Sequence, residues 1–108
     1  MKGGGFGDMG GLVKQAQKMQ KQMARLQDEL KQKVVEGTSG GGMVKAFVNG
    51  QKELLKLKLD PKILDPDDAE MVEDLVLAAI SEAMRKADEL HKAEMAKVTG
   101  GLQLPGMT

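Results

Sequence analysis

The sequence predicts an α+β fold of order helix, three-stranded antiparallel sheet, helix (αβββα), with long helical arms projecting from a sheet-based dimer body. Three observations lead there. Apolar residues recur every three or four positions in two long segments at either end of the chain. The stretch between them alternates with a period of two and is punctuated by glycine and asparagine turns. Both helical segments are far longer than any strand between them.

Residues 1–8 are glycine-dominated and are expected to form a flexible N-terminus. A single domain then spans 9–98, and 99–108 reads as a flexible tail. From Met9 to about Lys33 the pattern is helical. Leu12, Ala16, Met19, Met23, Leu26 and Leu30 form an a/d seam of the coiled-coil type.

Three strands follow. Lys33 to Thr38 is the first, and Ser39-Gly40-Gly41-Gly42 turns it back. The adjacent Val34 and Val35 leave its facing open. Met43 to Val48 is the second strand, with Val44, Ala46 and Val48 on one face and Met43, Lys45 and Phe47 on the other. Asn49-Gly50 is a hairpin signal. Leu54 to Leu59 is the third strand, with Leu55, Leu57 and Leu59 opposed to Lys56 and Lys58.

Asp60-Pro61 ends the sheet. Asp65-Pro66-Asp67-Asp68 reads as a helix start, in which Asp65 caps, Pro66 suits the first turn and the acids favour the positive helix end. The second helix runs to about Val98 and stops at Thr99-Gly100-Gly101. Its stripe passes through Val72, Leu75, Val76, Ala79, Ile80, Ala83, Met84 and Ala87, and on through His91 to Met95 and Val98. Residues 75–80 (LVLAAI) are apolar all round and call for cover from more than one side.

Lengths point to a dimer. The helices reach about 37 and 50 Å at 1.5 Å per residue. The strands reach only about 20 Å. The helix ends must project, and Phe47 and the LVLAAI turn need covering. Phe47, Val44, Leu75 and Leu77 are the candidate dimer contacts.

Composition narrows the function. The chain has 108 residues, no cysteine, and two aromatic residues, Phe6 and Phe47. Thiolate metal sites, disulfides and thiol nucleophiles are excluded. No apolar stretch approaches a membrane span and no secretory signal opens the chain, so a soluble cytoplasmic protein is expected. Formal net charge is zero, but its distribution is uneven. Residues 1–35 carry seven Lys/Arg against three Asp/Glu, whereas residues 61–108 carry five against ten.

Catalytic chemistry has little to work with, and no enzyme, cofactor, metal or small-molecule substrate is expected. The lone His91 lies on the apolar stripe between Asp88 and Glu94, where a structural role suits it. The acids from Asp65 to Asp74 are explained by the helix dipole and solvation rather than by a cation. Gly40-Gly41-Gly42 lacks the Lys-Ser/Thr of a phosphate loop and reads as a turn. Met19, Met23, Met71, Met84 and Met95 fit packing seams.

The most informative feature is a second stripe on the first helix. Lys14, Lys18, Lys21 and Arg25 are spaced 4, 3 and 4, opposite the apolar seam. They form a basic ridge about 16 Å long. Phosphate contacts from such a ridge give salt-sensitive, sequence-tolerant DNA binding. An ordinary solvated lysine face is the bland alternative. Lys45, Lys56 and Lys58 add a basic patch on one sheet face. Sequence-reading modules and aromatic stacking platforms are lacking.

The segments LVKQAQKMQKQMARLQDEL, VEGTSGGGMVKAFVNG, LKLKLDPKILDPDD, MVEDLVLAAISEAMRKADEL and MAKVTGGLQLPGM, in this order, resemble the YbaB/EbfC family of nucleoid-associated proteins. The resemblance covers nearly the whole chain. It implies a tweezer-shaped homodimer that binds duplex DNA with low sequence preference, sits on the nucleoid, and has no enzymatic activity or cofactor. An adaptor or chaperone-like holdase that grips protein segments with its coiled-coil arms is the competing expectation.

Overall fold

The computed structural model describes residues 3–100, with side chains over 9–98. The elements are α1 (Gly3–Gln32), β1 (Val34–Ser39), β2 (Val44–Asn49), β3 (Leu54–Leu59) and α2 (Ala69–Gly100), the expected αβββα order. Short 3-10 turns occupy Gly40–Gly42, Pro61–Ile63 and Pro66–Asp68. The chain is elongated, with extents of 80 × 26 × 17 Å.

The sheet is antiparallel with order β1-β2-β3. The alternation along β2 decides what it buries. Val44, Ala46 and Val48 point inward and are fully buried against α2, which answers with Ala79, Ala83 and Ala87 at four-residue spacing. Small helix residues let β1 come very close. A Cβ on Gly37 would stand 2.2 Å from the Ala79 carbonyl oxygen and 2.4 Å from the Ala83 nitrogen. Glycine is required there for space, not for its backbone angles.

Register also resolves the first strand. Glu36 and Thr38 oppose Phe47 and Lys45 on the outer face, so Val34 lies outside and Val35 packs on the core. Along β3, Leu57 and Leu59 oppose the inward Ala46 and Val44, whereas Lys56 and Lys58 oppose Phe47 and Lys45. The regular alternation expected at Leu55 is interrupted. Leu54 pairs with Val48 and Lys56 with Phe47, so Leu55 is the extra residue of a bulge.

The second hairpin forms where Asn49-Gly50 marks it, but by different chemistry. The left-handed residue is Lys52, with φ of 65°, and its N–H donates to the Asn49 carbonyl. Gly50 serves a close approach instead. Its N–H donates to the carbonyls of Leu30 and Lys33 at 2.8 and 3.0 Å, satisfying the C-terminal end of α1. A Cβ there would lie 2.7 Å from the Leu30 oxygen.

Element ends move by small amounts. α1 begins at Gly3, six residues ahead of the periodic pattern that starts at Met9. Asp65 caps the 3-10 turn by accepting from Asp67 N–H, and Asp68 accepts from Met71 N–H at the start of α2. α2 runs to Gly100, two residues past Val98. The expected tail beyond it lies outside the described residues.

Candidate nucleic-acid interface

α1 joins the sheet through a single residue, Lys33, and only its C-terminal turns are buried. Leu26 is 6% exposed and Leu30 is fully buried, while Met19 and Met23 are half-buried. Met9, Leu12, Val13 and Ala16 are exposed. The helix therefore leaves the body as an arm, anchored by the lower part of its a/d seam.

Lys14, Lys18, Lys21 and Arg25 are all exposed along this arm. At about 100° per residue they fall within about 60° of one another around the helix, with the buried Leu30 roughly opposite. Lys18 and Arg25 also border an open groove of about 470 Å³ between α1 and the end of α2, floored by Met19, Leu26 and Val98. No ridge residue is in a salt bridge among the described residues.

The remaining cations divide sharply. On α2, Arg85 pairs with Glu89, Lys86 with Glu82, Lys92 with Asp88 and Lys97 with Glu94. Lys33 and Lys52, beside the hairpin tip, pair with Glu94 and Asp88. The acids of α2 thus neutralise the bases near them and leave the α1 ridge alone. Lysine hydrogen bonds hold the Asp88 carboxyl below its ordinary value, and those from Lys33 and Lys97 hold Glu94 at about 2. A backbone hydrogen bond from Thr38, with Lys86 second, lowers Glu82. On the Lys97 ammonium the Glu94 carboxylate acts the other way, raising its affinity for the proton.

The sheet-face cations are a separate group. Lys45 lies directly opposite Lys58, and both are exposed. Lys56 is exposed and places its Nζ 5.9 Å from the Phe47 ring centroid. That contact supplies part of the cover Phe47 needs, and the ring is half-buried.

The four candidate dimer residues differ in burial. Val44 is fully buried in the chain's own core, so its side chain is not available at the surface. Leu75 is half-buried, next to Gly40, and Leu77 is 63% exposed. Sequence reasoning missed the larger apolar exposure around β3. α2 packs across β1 and β2 and leaves β3 uncovered, so Leu54, Leu55 and Leu57 remain exposed, as do Leu64 and Met71. The adjacent leucines at 54 and 55 were the available sign, since a strand with one covered face has no use for both.

His91 is half-buried on α2, and its acidic neighbours Asp88 and Glu94 are engaged by lysines. Among the described residues, no three His, Asp or Glu side chains gather at metal-binding spacing. No described helix is long and apolar enough to cross a membrane.

A model of the YbaB/EbfC DNA-binding family matches residues 5–102. The chain belongs to this family. It is 54% identical over 104 residues to a nucleoid-associated protein of Caldanaerobacter subterraneus subsp. tengcongensis, covering 96% of this chain and 93% of that one. It is 52% identical over 109 residues to a nucleoid-associated protein of Acetivibrio thermocellus, covering 96% of each. An uncharacterized protein of Helicobacter pylori, known from its crystal structure, shares the fold with a TM-score of 0.74 and 28% identity, over 88% of this chain and 97% of that one. The solved neighbour agrees with the αβββα order, and the family is a DNA-binding one.

Proposed function

We propose that this protein works as a homodimer that binds duplex DNA with low sequence preference, and that Lys14, Lys18, Lys21 and Arg25 contact phosphates from the α1 arms. The carrying observation is the partition of charge. Six bases on α2 and at the hairpin tip are paired within the chain, whereas the four of the ridge, like Lys31 further along α1, are exposed and unpaired among the described residues. Unpaired lysines on a helix face meet phosphates without first breaking an internal ion pair, and each contact releases condensed counterions. Lys45, Lys56 and Lys58 form an auxiliary patch.

The dimer reading rests on exposed apolar surface. Leu54, Leu55, Leu57, Leu64 and Leu77 are uncovered in one chain, more than scattered surface leucines explain. A second copy is the occupant we assign to them, with Phe47, Leu75 and Leu77 at or near the contact. Relatives named as nucleoid-associated proteins support a nucleoid location; effects on nucleoid organisation and gene expression are the consequence we assign to that binding.

The deciding experiment is a mobility-shift series in rising salt, with oligomeric mass measured on the same preparation. A salt-dependent shift of unrelated duplexes by a dimer is expected. Absence of any shift at low salt, together with suppression of client aggregation, would turn the reading toward a protein-binding holdase.

A further inference from the structure

We propose that Glu94 is a positioning residue for DNA binding: its buried carboxylate, held between Lys33 and Lys97, locks the α1 arm at a fixed angle to α2. The proposal rests on the DNA-binding reading for its consequence, but not for its geometry.

Glu94 is the one charged residue among the buried described residues, at 4% exposure. A buried carboxylate is costly unless cations and hydrogen bonds satisfy it. Here Lys33 Nζ reaches one oxygen at 2.5 Å and Lys97 Nζ the other at 2.6 Å. Lys33 is the connector between α1, which ends at Gln32, and β1, which starts at Val34. The ion pair therefore bridges 61 positions of sequence at the point where the arm could pivot.

A second attachment lies at the hairpin tip. Gly50 N–H donates to the carbonyls of Leu30, in the last turn of α1, and of the connector Lys33, and Gln51 Nε2 donates to the carbonyl and side-chain oxygens of Gln27 at 2.9 and 3.0 Å. Leu26 and Leu30 supply non-directional burial between the attachments. Apolar packing alone tolerates small rotations; the Lys33 bond ties the connector to α2, while Lys97, one turn further along α2, holds the second oxygen and fixes the carboxylate that receives it. Buried ionic groups are weak sources of stability but can select one arrangement. The ridge begins at Arg25, two turns before Lys33, so a small change of angle there moves Lys14 by many ångströms.

Two substitutions with opposite charge separate positioning from simple electrostatics. Glu94→Gln makes the protein more positive, and Lys33→Gln makes it less so. If the bridge only tunes local charge, the first strengthens DNA binding and the second weakens it. If it positions the arm, both weaken binding. A fall of the competent arm population to about one fifth weakens apparent affinity about 5-fold.

The chain has no cysteine, so spin labels at Gln17→Cys and Ser81→Cys, both exposed, report the arm angle directly. Labelled chains are diluted with unlabelled protein so that distances within one chain dominate. A narrow distance distribution is expected in the parent and a broad or shifted one in both variants, without DNA. Unchanged distributions overturn the lock, as does affinity that simply follows net charge. Lys33 is half-exposed, so Lys33→Gln remains a folded test if Glu94→Gln fails to fold. Broadened distances in a protein that never binds DNA would uphold the lock and defeat the DNA reading.

Discussion

Replacing Lys14, Lys18, Lys21 and Arg25 together with glutamine tests the arm directly. Glutamine keeps helix propensity close to that of lysine. The four side chains are exposed and make no ion pair among the described residues, so the fold should survive. The ridge covers about 16 Å, along which a duplex presents about nine phosphates on its two strands, so four contacts are within reach. Each neutralised phosphate contributes about −0.9 to the slope of log K against log salt. One fully engaged arm thus gives a slope of about −3.6, or about a 150-fold loss of affinity between 50 and 200 mM salt. Two engaged arms roughly double the slope. Fluorescence anisotropy with labelled duplexes of unrelated sequence, titrated at several salt concentrations, reads this directly. The variant should lose about 3.6 from the slope for each arm engaged, equally for every duplex. A variant with the parent's slope would refute the phosphate contacts, and a loss confined to one sequence would refute low specificity.

Other outcomes follow from the packing. Gly37→Ala forces backbone apart at Ala79 and Ala83 and should destabilise by about 1–3 kcal/mol or more, read by urea denaturation. Leu30→Ala removes a fully buried anchor of the arm and should cost about 2–5 kcal/mol. Leu77→Lys, at an exposed site, should leave the monomer fold intact while lowering the mass measured by light scattering; an unchanged dimer would exclude Leu77 from the interface. The carboxyls of Glu82, Asp88 and Glu94 titrate below their ordinary values in the folded chain, so their stabilisation is present above the ordinary carboxylate range. It is lost as pH falls, for Glu94 between 4.5 and about 2. The thermal midpoint should therefore stay level above about pH 5 and drop below it, less steeply in Glu94→Gln. A midpoint that falls on acidification well above that range would show that other groups dominate.

Local patterns in the sequence carry most of the fold because each element obeys a single period. The four-residue spacing of Ala79, Ala83 and Ala87 and the two-residue spacing of Val44, Ala46 and Val48 meet as the core. Contacts between distant segments were less legible. Nothing near Gly50 reveals that its N–H closes the end of α1, and nothing near Glu94 reveals Lys33, 61 positions away. The bulge at Leu55 escaped for a related reason, since register depends on the partner strand. At the candidate site, the spacing of the ridge was readable. Four of the six ion pairs, three or four positions apart along α2, follow from spacing as well, whereas those of Lys33 and Lys52 do not, because they join distant segments.

The sheet-face lysines offer a sharper separation of stability from function. Lys45 and Lys58 are directly opposed on neighbouring strands, and like charges in that relation destabilise a sheet. Had selection acted on stability alone, an uncharged or acidic residue at either site would be favoured. Lys58→Thr removes the repulsion and adds a β-branched residue to the strand, so it should raise stability by about 0.2–1 kcal/mol. If this face also meets phosphates, the same change should lower the salt slope by about 0.9 for each protomer engaged. Stability and binding then move in opposite directions, as expected where a charge is kept for its ligand. Parallel measurements of urea midpoint and salt slope decide it. A higher midpoint with an unchanged slope would confine DNA to the arms and leave the lysine pair as a device that protects the open β3 edge from pairing with stray strands.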